Sequence, residues 1–160
     1  MRILILSLVA VALLVVLILI VGWLLPATRE GRAEKTIAAP PDLVLAVIAD
    51  VETQPEWRDL GTVTRTETGW FEMTSRGERI EFVADELSAD RISLRFTSDA
   101  GYSGEWKALL EPVSGGTRIA VVECVTVPSP LGRIMARLLF DPTEFATTYL
   151  AKLKARVEEQ

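Results

Sequence analysis

Apolar positions fall along this chain in three regimes. From Ile3 to Leu25 no residue is charged, and Ser7 is the only hydroxyl. At about 1.5 Å per residue, this run makes a helix about 34 Å long, enough to cross a hydrocarbon core of about 30 Å. A lone span in lipid must pair its backbone groups internally, which a helix does. Trp23 stands where an interfacial aromatic would stand, and Pro26 marks the exit. Residues 1–26 therefore read as a transmembrane anchor. A cleaved signal peptide has a shorter apolar stretch, about 7–15 residues, with small residues before the cut. Neither Gly22-Trp23-Leu24 nor Ala27-Thr28-Arg29 offers a good cleavage context.

Residues 27–32 read as a polar linker, and 33–160 as one domain. Ala33–Ala38 is a first strand. Pro40-Pro41-Asp42 opens a helix, with prolines in the first turn and an acid at its positive end. Val44, Val47, Ile48 and Val51 follow at i, i+3, i+4 and i+7, one buried stripe. Gln54-Pro55-Glu56-Trp57 reads as a short helical turn. The pattern then changes to strands over 62–67, 70–75, 79–87, 91–97, 102–111 and 117–127, with turn signals such as Thr68-Gly69, Arg76-Gly77 and Gly115-Gly116 between them. Ile92, Leu94 and Phe96 share one face while Arg91, Ser93, Arg95 and Thr97 take the other, the mark of a sheet with a wet side and a dry side. The helical period returns after Ser129-Pro130. Asp141-Pro142-Thr143-Glu144 gives a second start, with Asp141 as N-cap. Ala146, Tyr149, Leu150, Leu153 and Val157 form the last stripe.

Charge narrows the function classes. Arg2 is the only charge before residue 27, so a formal net charge of −5 for the chain leaves −6 on the domain. An acidic domain lacks the basic footprint of a nucleic-acid binder and does not adhere broadly to anionic lipid. No nucleic-acid partner is expected. The chain contains no histidine and one cysteine, Cys124. This removes Ser-His-Asp and Cys-His catalysis, most zinc sites and any internal disulfide. No metal, cofactor or catalytic residue is assigned. Two signals conflict on orientation. Arg29, Arg32 and Lys35 favour a cytoplasmic domain by the positive-inside rule. The tiny basic tail before a long uncharged run looks like an uncleaved export signal and tips the balance to the outer, periplasmic face.

Several phrases, in this order, resemble the START or helix-grip (SRPBCC) superfamily, in its polyketide cyclase/dehydrase-like branch. They are Ile37-Ala38-Ala39-Pro40-Pro41 with Val44, then Ala49-Asp50, Pro55-Glu56-Trp57, Trp106 with Leu110, Gly115-Gly116-Thr117-Arg118, and Tyr149-Leu150-Ala151-Lys152-Leu153. The resemblance covers about residues 32 to 158. It implies an α+β helix-grip fold, in which a curved antiparallel sheet wraps a long C-terminal helix around an apolar cavity. Two positions depart from the pattern: Gln54 stands where an aromatic is common, and Lys35 where an apolar strand residue is common.

The expected function is a membrane-anchored binding or carrier domain for an apolar small molecule or lipid. The alternatives are a cyclase- or dehydratase-like enzyme and an interaction module with a filled core. The expected ligand-binding residues are Trp57, Phe82, Leu94, Phe96, Trp106, Glu123, Tyr149 and Leu153, with Ile80, Ile92, Ile119 and Val121 on the same inner face, around a pocket of about 300–1,000 Å³. Ordinary core packing accounts for the aromatics, including Trp70, equally well. Glu123 is in phase with Ile119, Val121 and Val127, so alternation points it inward, toward a ligand or a structural arginine; a register slip would turn it out. Arg65 and Glu72 are secondary candidates. Cys124 faces the other side. The segment from Arg133 to Phe140 covers the cavity mouth or touches the membrane.

Overall fold

The computed structural model describes residues 2–159. Helix α1 (Arg2–Leu24) is followed by strand β1 (Thr28–Ile37), helix α2 (Pro41–Ala49) and a 3-10 turn (Val51–Glu56). Strands β2 (Leu60–Arg65), β3 (Trp70–Thr74), β4 (Arg79–Leu87), β5 (Arg91–Ser98), β6 (Ser103–Val113) and β7 (Gly116–Thr126) come next. Helices α3 (Pro130–Leu139) and α4 (Pro142–Glu158) close the chain. The strands form one antiparallel sheet in the order β1-β7-β6-β5-β4-β3-β2. The first strand thus pairs with the last, and α2 and the 3-10 turn span the crossover to the opposite edge. This is the α+β helix-grip arrangement.

Alternation and capping account for these elements. On β5 the buried residues are Ile92, Leu94, Phe96 and Ser98; on β7 they are Thr117, Ile119, Val121, Glu123 and Val125. Trp106, Ala108 and Leu110 of β6 lie between them on the same face. Opposite, α4 lays Ala146, Tyr149, Leu150, Leu153 and Val157 on β1 and β7. The Asp141 carboxylate accepts from the Thr143 and Glu144 amides at 2.8 and 3.2 Å, satisfying two of the orphan donors of the α4 start. The α2 stripe is buried as its spacing requires, but the helix ends at Ala49, and Val51 belongs to the 3-10 turn.

The main correction concerns residues 27–32. They are not a linker: Thr28 to Arg32 form the first half of β1, in register with Thr126 to Val122. Charged Arg29, Glu30 and Arg32 hide this strand from a hydropathy reading, because its stability comes from the β7 ladder. Arg29 is drawn into the fold, donating to the Ala136 and Phe140 carbonyls at 3.0 and 2.6 Å. Gly31 is buried against α4, where a Cβ would lie 2.2 Å from the Pro142 carbonyl carbon. Lys35, half-buried beside Ala33 and Ile37, leaves the strand intact.

Leu153 has no exposed surface at the α4–sheet interface. Leu153→Ala should cost about 2–5 kcal/mol, as buried leucine truncations do. Urea denaturation of the domain freed of residues 1–26 measures this; a change within about 0.5 kcal/mol would show that the sheet does not grip α4.

Candidate functional site

A cavity of about 560 Å³ opens between the inner face of the sheet and the helices that cover it. Helix α4 lies over β1 and β7, which leaves the inner faces of β3 and β4 uncovered, and Trp70, Ile80 and Phe82 remain half-buried there. Aromatic rings line the path. Trp70 stacks on Phe82 at 5.2 Å, Phe82 tilts against Phe96 at 5.7 Å, and Phe96 meets the edge of Tyr102 at 6.4 Å. Trp106 contacts Tyr149 of α4 edge-on at 5.4 Å. These are geometries that rings prefer in packed interiors.

Among the expected site residues, Phe82, Leu94, Phe96, Trp106, Glu123 and Tyr149 line the cavity, and so do Ile80 and Trp70. Trp57 and Leu153 do not. Trp57 supports the Tyr149 ring, 5.6 Å away, and Leu153 lies deeper, in the dry contact between α4 and the sheet. Ile92, Ile119 and Val121 likewise belong to the solid core. They share the inner face, but α4 covers their end of it. Arg65 is on the outside, bonded to the Ala49 carbonyl and close to Glu52. Cys124 also lies outside the cavity, its Sγ 3.7 Å from Glu30 Oε2; partial burial, then that carboxylate, push its thiol up.

The cavity has two kinds of polar group. One is a closed circuit that sequence reading largely missed. Arg58, two residues past the 3-10 turn, meets Glu72 with two parallel bonds of 2.7 and 3.1 Å. Trp70 Nε1 donates to the same carboxylate at 3.3 Å. Gln54, almost fully buried, accepts from Arg58 and donates to the Ile48 carbonyl at 2.9 Å. Gln54 is thus a structural hub, and this explains a polar residue where an aromatic is common. The guanidinium also stands 5.5 Å from the centre of the Tyr149 ring. Arg58 carried no sequence signal, since nothing local distinguishes it from a surface arginine.

Glu123 is the other kind. It lies between Val121 and Val125 on β7, opposite Trp106 of β6 and Gly31 of β1. It is 5% exposed, and its Oε2 has no hydrogen-bond partner among the described residues. Burial raises its pKa to about 7; the more distant Arg58 charge opposes this but is already engaged by Glu72. Burial likewise raises Tyr102, helped by Glu78. A lone carboxyl that exchanges a proton near neutrality can accept or donate a hydrogen bond inside an apolar chamber. Such a group orients a ligand, and it is also the feature a general acid or base requires.

The comparisons with known proteins agree with this geometry. No protein-family model matches the sequence, and no curated protein does. Solved structures share the fold. A START superfamily protein from Mycobacterium smegmatis is 17% identical over 82% of this chain and 97% of its own, with a TM-score of 0.61. A protein from Thermus thermophilus is 23% identical over 82% of this chain and 98% of its own, with a TM-score of 0.59. DynU16, from the dynemicin biosynthetic locus, is 18% identical over 81% of this chain and 47% of its own, with a TM-score of 0.60. The chain has the START/SRPBCC fold.

Two measurements test the site. The folded protein holds the Glu123 proton to about pH 7, whereas the unfolded chain releases it near 4.5. The folded state binds the extra proton in this window, so this group's contribution to stability falls as pH rises from about 4.5 to 7. The loss is complete above that range and is on the order of 3 kcal/mol. Glu123→Gln should remove this slope, gaining stability over wild type at pH 8 but not at pH 4; parallel profiles would refute a buried, unpaired carboxyl. Arg58→Met should leave Glu72 buried without its counter-charge and cost about 3–5 kcal/mol. The double variant Arg58→Met/Glu72→Met should recover much of that loss in urea denaturation.

Proposed function

We propose that the protein is a membrane-anchored binding or carrier domain for an apolar small molecule or lipid, held between the sheet and the C-terminal helices. The cavity carries this reading. Its volume falls in the range of small-molecule sites, about 300–1,000 Å³, and its walls are mainly aromatic and aliphatic with few polar groups. A filled core would have favoured the interaction module instead. The START/SRPBCC fold of the solved neighbours is compatible with ligand binding. Glu123 and its near-neutral pKa also favour, as a second reading, a cyclase- or dehydratase-like enzyme with that carboxyl as acid or base.

The anchor reading rests on α1. Of its 23 residues only Gly22 is buried; from Ile3 on, Ser7 apart, the others present an apolar surface on all sides. Its end is built into the domain. Arg133 donates to the Trp23 and Leu25 carbonyls at 3.2 and 3.3 Å, and Gly22 lies against Pro130. A leader destined for removal has no need of such contacts. Which membrane face carries the domain stays an expectation of the outer one.

The full-length protein should remain in the membrane pellet through an alkaline carbonate wash. Recovery in the supernatant, or a mature N-terminus near Ala27, would sink the anchor. Solvent extracts of the domain released from its anchor should contain an apolar molecule near one per chain. Trp106→Ala should weaken its retention, and Ala136→Phe, which fills the cavity from α3, should abolish it; identical extracts from all three proteins would defeat the carrier reading.

A further inference from the structure

The register of the sheet puts the cavity mouth and the anchor at the same end. Helix α1 stops at Leu24 and β1 starts at Thr28, so three residues separate them, and the four steps between reach at most about 13–14 Å. Thr28 pairs with Thr126, Thr126 with Ser103, Ser103 with Thr97, and Thr97 with Glu81. The end of the sheet nearest α1 therefore carries the β5–β6 turn at Asp99–Gly101 and the β3–β4 turn at Ser75–Glu78. Both turns reach the cavity, through Ala100 and through Arg76 and Glu78. Helix α3 completes the mouth at this end.

Helix α3 has two working faces. Gly132, Met135, Ala136 and Leu139, at i, i+3, i+4 and i+7, line the cavity. Leu131 and Leu138 do not, and they are 54% and 72% exposed; Met135 and Leu139, at the rim, are 47% and 74% exposed. No residue of α3 is buried, and it contains no acidic residue. Its position against the anchor is fixed. A Cβ on Gly22 would lie 2.2 Å from the Pro130 carbonyl oxygen, and Arg133 bridges Val127 and Pro128 to the last carbonyls of the span.

We infer that α3 is an interfacial helix whose Leu131–Leu138 edge sinks into the leaflet from which α1 emerges, so that the cavity mouth opens onto lipid. The inference rests on α1 being a retained span. An apolar helix edge buries itself in the headgroup and acyl boundary when something holds it there. The contacts with α1 supply that placement, which an acidic domain would not find by charge. The occupant of this face is the bilayer itself, and the route it creates lets an apolar ligand pass between leaflet and cavity without crossing water.

Depth-dependent quenching tests this on the full chain in phosphatidylcholine nanodiscs. A nitrobenzoxadiazole label is attached to a single cysteine in a Cys124→Ser background. The positions are Leu138→Cys on α3, Leu87→Cys at the opposite end of the sheet, and Val15→Cys in the middle of α1. The expected result is at least a twofold loss of emission at position 138 with lipid spin-labelled at carbon 5, and none at position 87. If position 138 is quenched no more than 87 while position 15 is quenched by lipid labelled at carbon 12, α3 is not in the leaflet although the anchor spans. If position 15 is not quenched, the anchor reading fails and this inference fails with it.

Discussion

One helix cannot cover a seven-stranded sheet, and this limit shapes the molecule. Helix α4 has 17 residues, so it is about 25 Å long and about 10 Å across. Seven strands spaced by about 4.8 Å spread over about 29 Å. The helix therefore closes on one side, against β1 and β7, where Ile119, Val121, Leu150 and Leu153 make a solid core. The inner faces of β3 and β4 are left to the 3-10 turn and α3, which roof the space without filling it. A dry void of about 560 Å³ would cost on the order of 10 kcal/mol at about 24 cal/mol per Å³, comparable to the whole stability of a domain. The contents of the cavity, solvent or ligand, are thus part of the energetics of the fold.

Electrostatics within the cavity are uneven, and the unevenness is informative. Arg58, Glu72, Gln54 and Trp70 satisfy one another, so the buried charge pair lies in a closed set of hydrogen bonds. A complete network of this kind fixes the 3-10 turn to β3 and asks nothing of a ligand. Glu123 sits on the same chamber with an open lone pair and, among the described residues, no cation of its own. The first group belongs to architecture, and the second is where the chamber has unused hydrogen-bonding capacity.

Much of this was legible in the chain. Strand alternation placed Leu94, Phe96, Trp106 and Glu123 inward, because a one-residue period error would have exposed an entire stripe of large side chains. The Asp141 cap and the Tyr149–Leu150–Leu153 stripe located α4. Three things stayed hidden for physical reasons. The start of β1 is stabilised by backbone pairing, which leaves no mark on hydropathy. Arg58 reaches Glu72 across 14 positions, a pairing that only the tertiary fold creates. The division of one apolar face into core and cavity wall depends on where α4 ends. Leu153 and Phe82 have equally apolar side chains, yet one is sealed and the other lines the open space.

The chain's N-terminal end is joined to the domain by steric and polar contacts of the same design. Gly22 and Gly31 each admit a backbone, Pro130 and Pro142 respectively, where any side chain would collide. Arg133 and Arg29 then bond the carbonyls that those close approaches leave at helix ends, Arg133 at the end of α1 and Arg29 at the end of α3. Guanidinium groups suit this task because their donors are arranged in a rigid fork and stay charged. Each contact alone is modest. Together they tie α1, β1 and the two C-terminal helices into one corner, so the helix that lines the mouth cannot shift far without disturbing either the end of α1 or the first strand. The position of α3 is therefore set by both α1 and the sheet, and this joins the cavity mouth mechanically to the C-terminal end of α1.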